Sequence, residues 1–319
     1  MDIDFLKDKF AGCLLGLAIG DAMGAPVEGM TPYQVISKFG YVDGFFPQSN
    51  RGLPSGKYTA QTLSAIYMAK AMIRANGVFD QAEASKAMGE LESKHPQGVD
   101  VGRTMLAKAV PVGMLAAATG MDGQELANAC RSLAPPGSKR NALAMFLTAS
   151  AIREIIRNHA ELSKPHELYD ADRSLLARLA SMAMKSEAKF EDDDAERLGP
   201  RLDFARRKLM TNWDLPRFIG TNGIGGDAAE TVAIAIFSWL RAPDEFSTIC
   251  NTVSMGGPAS MNGALVGALV GATMGASLMP SDMKDQAENG PKIESLAIAF
   301  AEKCMPRQGT GPESDKSKE

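Results

Sequence analysis

Residues Gly12 to Glu28 read GCLLGLAIGDAMGAPVE. Apolar side chains at three- and four-residue spacing predict a helix from Phe10 to Ala22. The stretch Gly-Asp-Ala-Met-Gly, Gly20 to Gly24, then predicts a turn. In it Asp21 can cap exposed backbone N–H groups, and Gly24, having no Cβ, lets another backbone pass close by. The segment ends on the carboxylate of Glu28. An apolar helix that leads into an acid, a glycine and a second acid is the pattern around which the remaining sequence is read.

The helical period recurs along most of the chain. It predicts helices over Thr62–Asn76, Gln81–Leu91, Thr104–Thr119, Asp122–Ser132, Lys139–His159 and Tyr169–Lys185. Beyond a polar interval from Ser186 to Gly199 it resumes over Pro200–Met210, Ala228–Leu240, Asp244–Met255, Asn262–Leu278 and Ile293–Lys303. Breakers agree: Asn76-Gly77 stops one helix, Gly120 another, and Pro243-Asp244 announces a third. Alternation of the strand type is short and scattered, so the fold class expected is all-α. No compositional break and no long-period repeat divides the chain. One multi-helix domain over residues 1–307 is expected, with a polar, disordered tail over 308–319.

Composition narrows the functional classes. With 45% hydrophobic and 23% charged residues, the chain has the material for a core and lacks the polarity of a disordered protein. A net charge of −4 argues against nucleic acid or acidic lipid as partner, leaves a local basic groove open, and favours a small molecule. Oligomeric state is not legible. Cys13, Cys130, Cys250 and Cys304 have no metal or redox spacing and read as buried thiols of a reducing compartment. The start, MDIDFLKDKFAG, is too acidic for a secretory signal, and cytoplasmic residence is the expectation.

The run from Gly263 to Met279 approaches the length of a bilayer span. Gly263, Gly267, Gly271 and Gly275 recur every four residues, which places them on nearly one helix face. Such a face admits a second backbone, as in membrane helices. Without a second span, the expectation is no membrane, and a central helix apolar on every side within a helical core.

Several stretches, taken in order, resemble the ADP-ribosylglycohydrolase (DraG-like) family over roughly residues 8 to 280. They are GDAMGAPVE from Gly20 to Glu28, AKAVPVG from Ala107 to Gly113, and GGDAAETV from Gly225 to Val232 ahead of AIAIFSWL. The resemblance implies a cleft made by loops Asp21 to Glu28, Thr59 to Thr62, Gly220 to Asp227 and Gly256 to Asn262. It also implies an ADP-ribosyl or other ribosyl ligand, free or protein-linked.

The departures are consistent in kind. Where the family has Thr-Asp-Asp-Thr opening a long helix, this chain has Thr59-Ala60-Gln61-Thr62. Where the family has Asp-x-Asp-Thr after paired glycines, it has Pro258-Ala259-Ser260-Met261 after Gly256-Gly257. In the family those acids hold two magnesium ions. Its Thr-His pair falls on Ser132-Leu133-Ala134-Pro135, and Lys108 stands where an Arg is usual. Magnesium asks for carboxylate-rich octahedral oxygen, while Thr59, Gln61 and Ser260 offer neutral oxygens, so no metal and no cofactor is expected.

Two readings stay open. In the first, Thr59, Gln61, Ser260 and Asn262 bond a sugar directly while Glu28 or Asp227 does acid or base work on a glycosidic bond. In the second, the chain is an inactive relative that grips an ADP-ribose-like or nucleotide ligand or serves as a regulatory partner. The candidate catalytic residues are Glu28 and Asp227. The candidate ligand contacts are Asp21, Thr59, Gln61, Thr62, Gly223, Gly225, Gly226, Gly256, Gly257, Ser260 and Asn262.

Plainer roles compete for some of these residues. The run Gly220 to Gly226, GTNGIGG, offers N–H groups to a diphosphate at a helix start, yet lacks the Lys-Ser/Thr of a P-loop. Asp227 and Glu230 suit the positive end of the next helix, and for Glu230 capping is the favoured role. The run EDDDAE, Glu191 to Glu196, reads as a solvated loop or helix start. His95, His159 and His166 have no ligand spacing.

Overall fold

The computed structural model describes residues 1–48, 52–95, 105–158, 174–189 and 197–305. Its helices are α1 (Ile3–Gly24), α2 (Pro32–Phe39), α3 (Ala60–Arg74), α4 (Gln81–Lys94) and α5 (Met105–Thr119). Then come α6 (Gly123–Leu133), α7 (Lys139–Arg157), α8 (Leu175–Glu187), α9 (Leu198–Met210) and α10 (Leu215–Asn222). The last are α11 (Ala228–Arg241), α12 (Ser247–Val253), α13 (Ala259–Met274), α14 (Ser281–Gln286) and α15 (Gly290–Cys304). Among the described residues no strand forms, and extended chain pairs only in an isolated bridge between Gln48 and Leu53. The fold is all-α, and every helix contributes to one hydrophobic core. The tail from 308, the acidic run Glu191 to Glu196, His159 and His166 lie outside the described residues.

The centre of the core is the antiparallel pair α1 and α13. Gly12, Gly16, Gly20 and Gly24 of α1 meet Gly271, Gly267, Gly263 and Ala259 of α13 in that order, and a Cβ at any of the α1 glycines would overlap the facing carbonyl. Two helices with glycine at every fourth position can bring their backbones into contact, as the spacing on α13 leads one to expect. Past the polar first turns of α1, both are largely apolar on every face, and other helices cover them. The stretch Ile3–Val27 is long and apolar enough to cross a membrane, but its most apolar 18-residue window is buried inside the protein. The helix expected over Asn262–Leu278 starts earlier and stops at Met274, because Gly275 turns to φ +82° and packs against the Asp8 carboxylate. At the same end Lys9 Nζ donates to the Thr273 carbonyl (2.5 Å), and Trp239 Nε1 donates to Thr273 Oγ1 (2.9 Å).

The predicted turn at Gly20 to Gly24 is instead the end of α1, which runs unbroken to Gly24 and tightens into a 3-10 turn over Ala25–Val27 with Pro26 in it. The close packing on α13 outweighs the poor helix propensity of these glycines. Two eight-residue helices were not expected. α2 has a full capping box, Thr31 with Gln34, and Pro32 at its first position; α10 has the Asp214 cap and Pro216 in its first turn. α10 takes in Gly220, Thr221 and Asn222, so the first three residues of the expected seven-residue Gly-rich loop are helical.

Candidate functional site

Three helices, α3, α11 and α13, start at the site, and each start is capped by a carboxylate. Asp21, fully buried on α1, accepts from Thr59 N (2.9 Å), Thr62 N (3.0 Å) and Thr62 Oγ1 (2.7 Å) at Oδ2, and from Thr59 Oγ1 (2.8 Å) at Oδ1. Thr59 is the N-cap of α3, its Oγ1 accepting from Gln61 N. A helix start leaves its first N–H groups without partners and favours negative charge; Asp21 meets both needs across space. Burial nevertheless pushes its carboxyl up to about 6, against the four hydrogen bonds that pull it down.

Glu28 does the same for α13. Its Oε2 accepts from Ser260 N (2.8 Å) and Ser260 Oγ (2.7 Å), a task that Pro258, at the N-cap position, does not perform. Among the described residues nothing bonds Glu28 Oε1. The chain either side is stitched by Gly29 N to Gly257 O (2.7 Å) and Gly257 N to Met30 O (2.8 Å). Gly256 and Gly257 hold φ of +68° and +64°, a region that excludes most side chains, and a Cβ on Gly257 would also strike Ile224.

At α11 the Asp227 side chain accepts from Glu230 N (2.7 Å). Glu230 in turn reaches back, its Oε2 accepting from Gly225 N (3.1 Å) and Gly226 N (2.8 Å), while Arg201 Nη2 stands 3.7 Å from its Oε1. Gly223 wraps the same carboxylate so closely that a Cβ there would overlap it. The N–H groups expected to receive a ligand diphosphate are therefore filled by the chain's own Glu230. The reason is local: an Asp-Ala-Ala-Glu start sets the acid one turn into the helix, within reach of the glycines before it. Arg201, which also donates to the Asn222 carbonyl, carries no sequence signal.

Asn262 Nδ2 donates to Ile224 O (2.9 Å) and ties α13 to the glycine loop. Its Oδ1 and the Oε1 of Gln61 are buried without a described partner, on residues only 1% and 6% exposed. The structure thus joins Asp21 with Thr59 and Thr62, Glu28 with Ser260, and Asn262 with the loop at Ile224 and Gly225. Asp227 faces elsewhere, into a cleft of about 60 Å³ that Arg140, Asn141 and Glu187 also line. Among the described residues no three His, Cys, Asp or Glu side chains gather as a metal would require. All four cysteines are buried and free, and burial raises the Cys250 thiol to about 11 and those of Cys130 and Cys304 to about 12.

Removing Glu230 tests the self-capped loop. Glu230→Ala strands two N–H groups and is expected to cost about 1–3 kcal/mol, read as a lowered midpoint of urea unfolding; an unchanged midpoint would show that these bonds carry no stability.

The profile of the ADP-ribosylglycohydrolase family matches residues 2–309, and the chain belongs to that family. A solved structure, "ADP-ribosylglycohydrolase-related protein complex", superposes with a TM-score of 0.69 at 23% identity over 95% of this chain and 100% of that one, which shows the shared fold. An uncharacterized protein of Archaeoglobus fulgidus is 35% identical over 68 residues, 21% of this chain and 22% of that protein. ADP-ribosylhydrolase ARH3 of Gallus gallus is 29% identical over 94 residues, 28% of this chain and 26% of that protein. The matched segments span about a quarter of the length of these curated relatives.

Proposed function

We propose that this protein binds a ribosyl ligand of the ADP-ribosyl class in the cleft beside α3 and α13, and that it does so without the two magnesium ions of its family and without hydrolysing the glycosidic bond. The observation that carries this reading is the use of Asp21 and Glu28 as caps of α3 and α13. Those are the two helix starts at which the family's motifs place metal-binding acids. Both oxygens of Asp21 are taken and buried, and Glu28 has one oxygen uncommitted. What surrounds them is Thr59, Gln61, Ser260 and Asn262. Neutral hydroxyls and amides do not repay the dehydration of magnesium, so the donor set does not fit a metal pair.

The same donor set suits a sugar. Gln61 Oε1 and Asn262 Oδ1 are buried acceptors that lack donors, and buried polar atoms in folded proteins almost always have a partner. Both atoms are closed to solvent in this structure, and ribose hydroxyls supply donors of that kind once the two side chains rotate toward the cleft. The usual metal-free route to glycoside hydrolysis uses two carboxyl groups set across the scissile bond, whereas Asp227 caps α11 and lines a different cleft.

Calorimetry with ADP-ribose in EDTA tests the proposal. Saturable binding is expected, weakened about tenfold in Gln61→Leu by loss of one buried acceptor, with no ribose released on long incubation with ADP-ribosylated substrate. Absence of binding overturns the reading. Metal-free turnover that Glu28→Gln abolishes would replace it with Glu28-dependent hydrolysis.

A further inference from the structure

Where the first turn of α10 and the last turn of α11 meet α12 lies a cavity of about 380 Å³, at the small end of ligand pockets. All of its lining belongs to the stretch 197–305, which the structure describes without a gap. Asp214, Arg241 and Glu245 line it, and all three are exposed. Among the described residues no ion pair involves any of them. Asp214 accepts from Arg217 N at Oδ1 (2.9 Å), and Glu245 accepts from Ser247 Oγ at Oε2 (2.9 Å), so each keeps one oxygen uncommitted. Arg217 lays its guanidinium over the Trp213 ring, 4.2 Å from the centroid. Arg241 donates from Nη1 to the Trp213 carbonyl and keeps its other N–H groups uncommitted.

Ser238, three residues before Arg241 on α11 and so on the same face, also lines the cavity. It is 3% exposed, and its hydroxyl is closed to solvent without a partner. A helical serine or threonine can return its hydroxyl to the preceding turn, as Thr252 does to the Thr248 carbonyl (2.8 Å); Ser238 does not. Buried polar atoms rarely stay unpaired, and a change of staggered χ1 well turns this hydroxyl toward the cavity. None of these residues is among those assigned to the ribosyl cleft.

We propose that this cavity is a second binding site, for a small diamino acid. Its two ammonium groups pair with Asp214 and Glu245, and its carboxylate takes N–H groups of Arg241 and the hydroxyl of Ser238. Two carboxylates and one guanidinium on the protein thus meet two cations and one carboxylate on the ligand, through charge-assisted bonds of the stronger kind. A plain diamine leaves Arg241 without a counter-charge, and a plain carboxylic acid sets a third negative charge beside two others.

L-Lysine is the probe. Its controls are 1,5-diaminopentane, which lacks the carboxylate, and 6-aminohexanoate, which lacks the α-ammonium, each titrated into the intact protein by calorimetry. One saturable site is expected, about tenfold or more tighter for L-lysine than for either control. Asp214→Asn with Glu245→Gln keeps both accepting oxygens and removes both charges; it is expected to weaken L-lysine about tenfold or more at an unchanged melting temperature. Arg241→Gln is expected to bring L-lysine to the level of 1,5-diaminopentane; should it fail to fold, the double variant decides. Ser238→Ala is expected to weaken L-lysine about threefold without lowering the melting temperature, because its hydroxyl has no partner to lose. Absence of saturable binding, equal affinity for the three compounds, or unchanged affinity in the double variant overturns the proposal. So does loss of L-lysine binding in Gln61→Leu alone, which would place the probe in the ribosyl cleft.

Discussion

Gly267→Ala is expected to lower the melting temperature by roughly 6–12 °C, from a loss of about 3 kcal/mol or more. The added methyl group has no room, because the carbonyl of Gly16 occupies its position. Neither backbone can swing aside by itself. Gly12 against Gly271 and Gly20 against Gly263 hold the same approach one turn away on either side, so relief requires α1 and α13 to part along much of their length. Their separation would open the centre of the core, and a domain has only about 5–15 kcal/mol of net stability. Gly89→Ala is the control. Gly89 is exposed on α4 with nothing near its would-be Cβ, and alanine there is expected to stabilise by up to about 1 kcal/mol. Equal melting shifts for the two variants would show that the glycine seam does not govern the fold.

Asp21→Ala is expected to be comparably damaging, at about 3–5 kcal/mol, because two N–H groups and two hydroxyls at the start of α3 lose their acceptor in a fully buried place. The isosteric Asp21→Asn separates charge from shape. Burial raises the Asp21 carboxyl from its ordinary 3.8 to about 6, so the folded state favours the protonated acid. The resulting stabilisation is full below pH 3.8 and is lost as the pH rises through about 6. At about 1.4 kcal/mol per pH unit between those values, it amounts to about 3 kcal/mol. Asparagine carries no charge at any pH, so the difference in unfolding free energy between wild type and Asp21→Asn is expected to change by that amount between pH 4 and 7. A difference independent of pH would mean that Asp21 is charged throughout, held so by its four hydrogen bonds.

Much of the architecture was legible because long apolar helices declare their period, and α3 to α7, α9, α11 and α15 follow it closely, while α1 begins at Ile3, well before the expected Phe10. The glycines on α13 announced a close partner, and the matching repeat Gly12, Gly16, Gly20 and Gly24 shows which helix it is once the two are laid side by side. α2 and α10 escaped because eight residues hold too little period to stand out, although Thr31-Pro32 with Gln34, and Asp214 with Pro216, are ordinary start signals.

The hydrogen bonds among the candidate site residues were not legible in the sequence. Asp21 and Glu28 were expected at the cleft, but their bonds span 38 or 41 residues to Thr59 and Thr62 and 232 to Ser260, distances at which no sequence spacing reveals a helix cap. Gly225 and Gly226 looked like an anion cradle, and they are one; the anion is Glu230.

Magnesium titration of the purified protein by calorimetry, with and without saturating ADP-ribose, bears most directly on the proposal that the acids of the cleft hold helices instead of ions. No saturable heat from magnesium, together with ADP-ribose binding of equal strength in EDTA and in magnesium, is the result expected. Tight, stoichiometric uptake of two ions, lost in Asp21→Asn or Glu28→Gln, would contradict it.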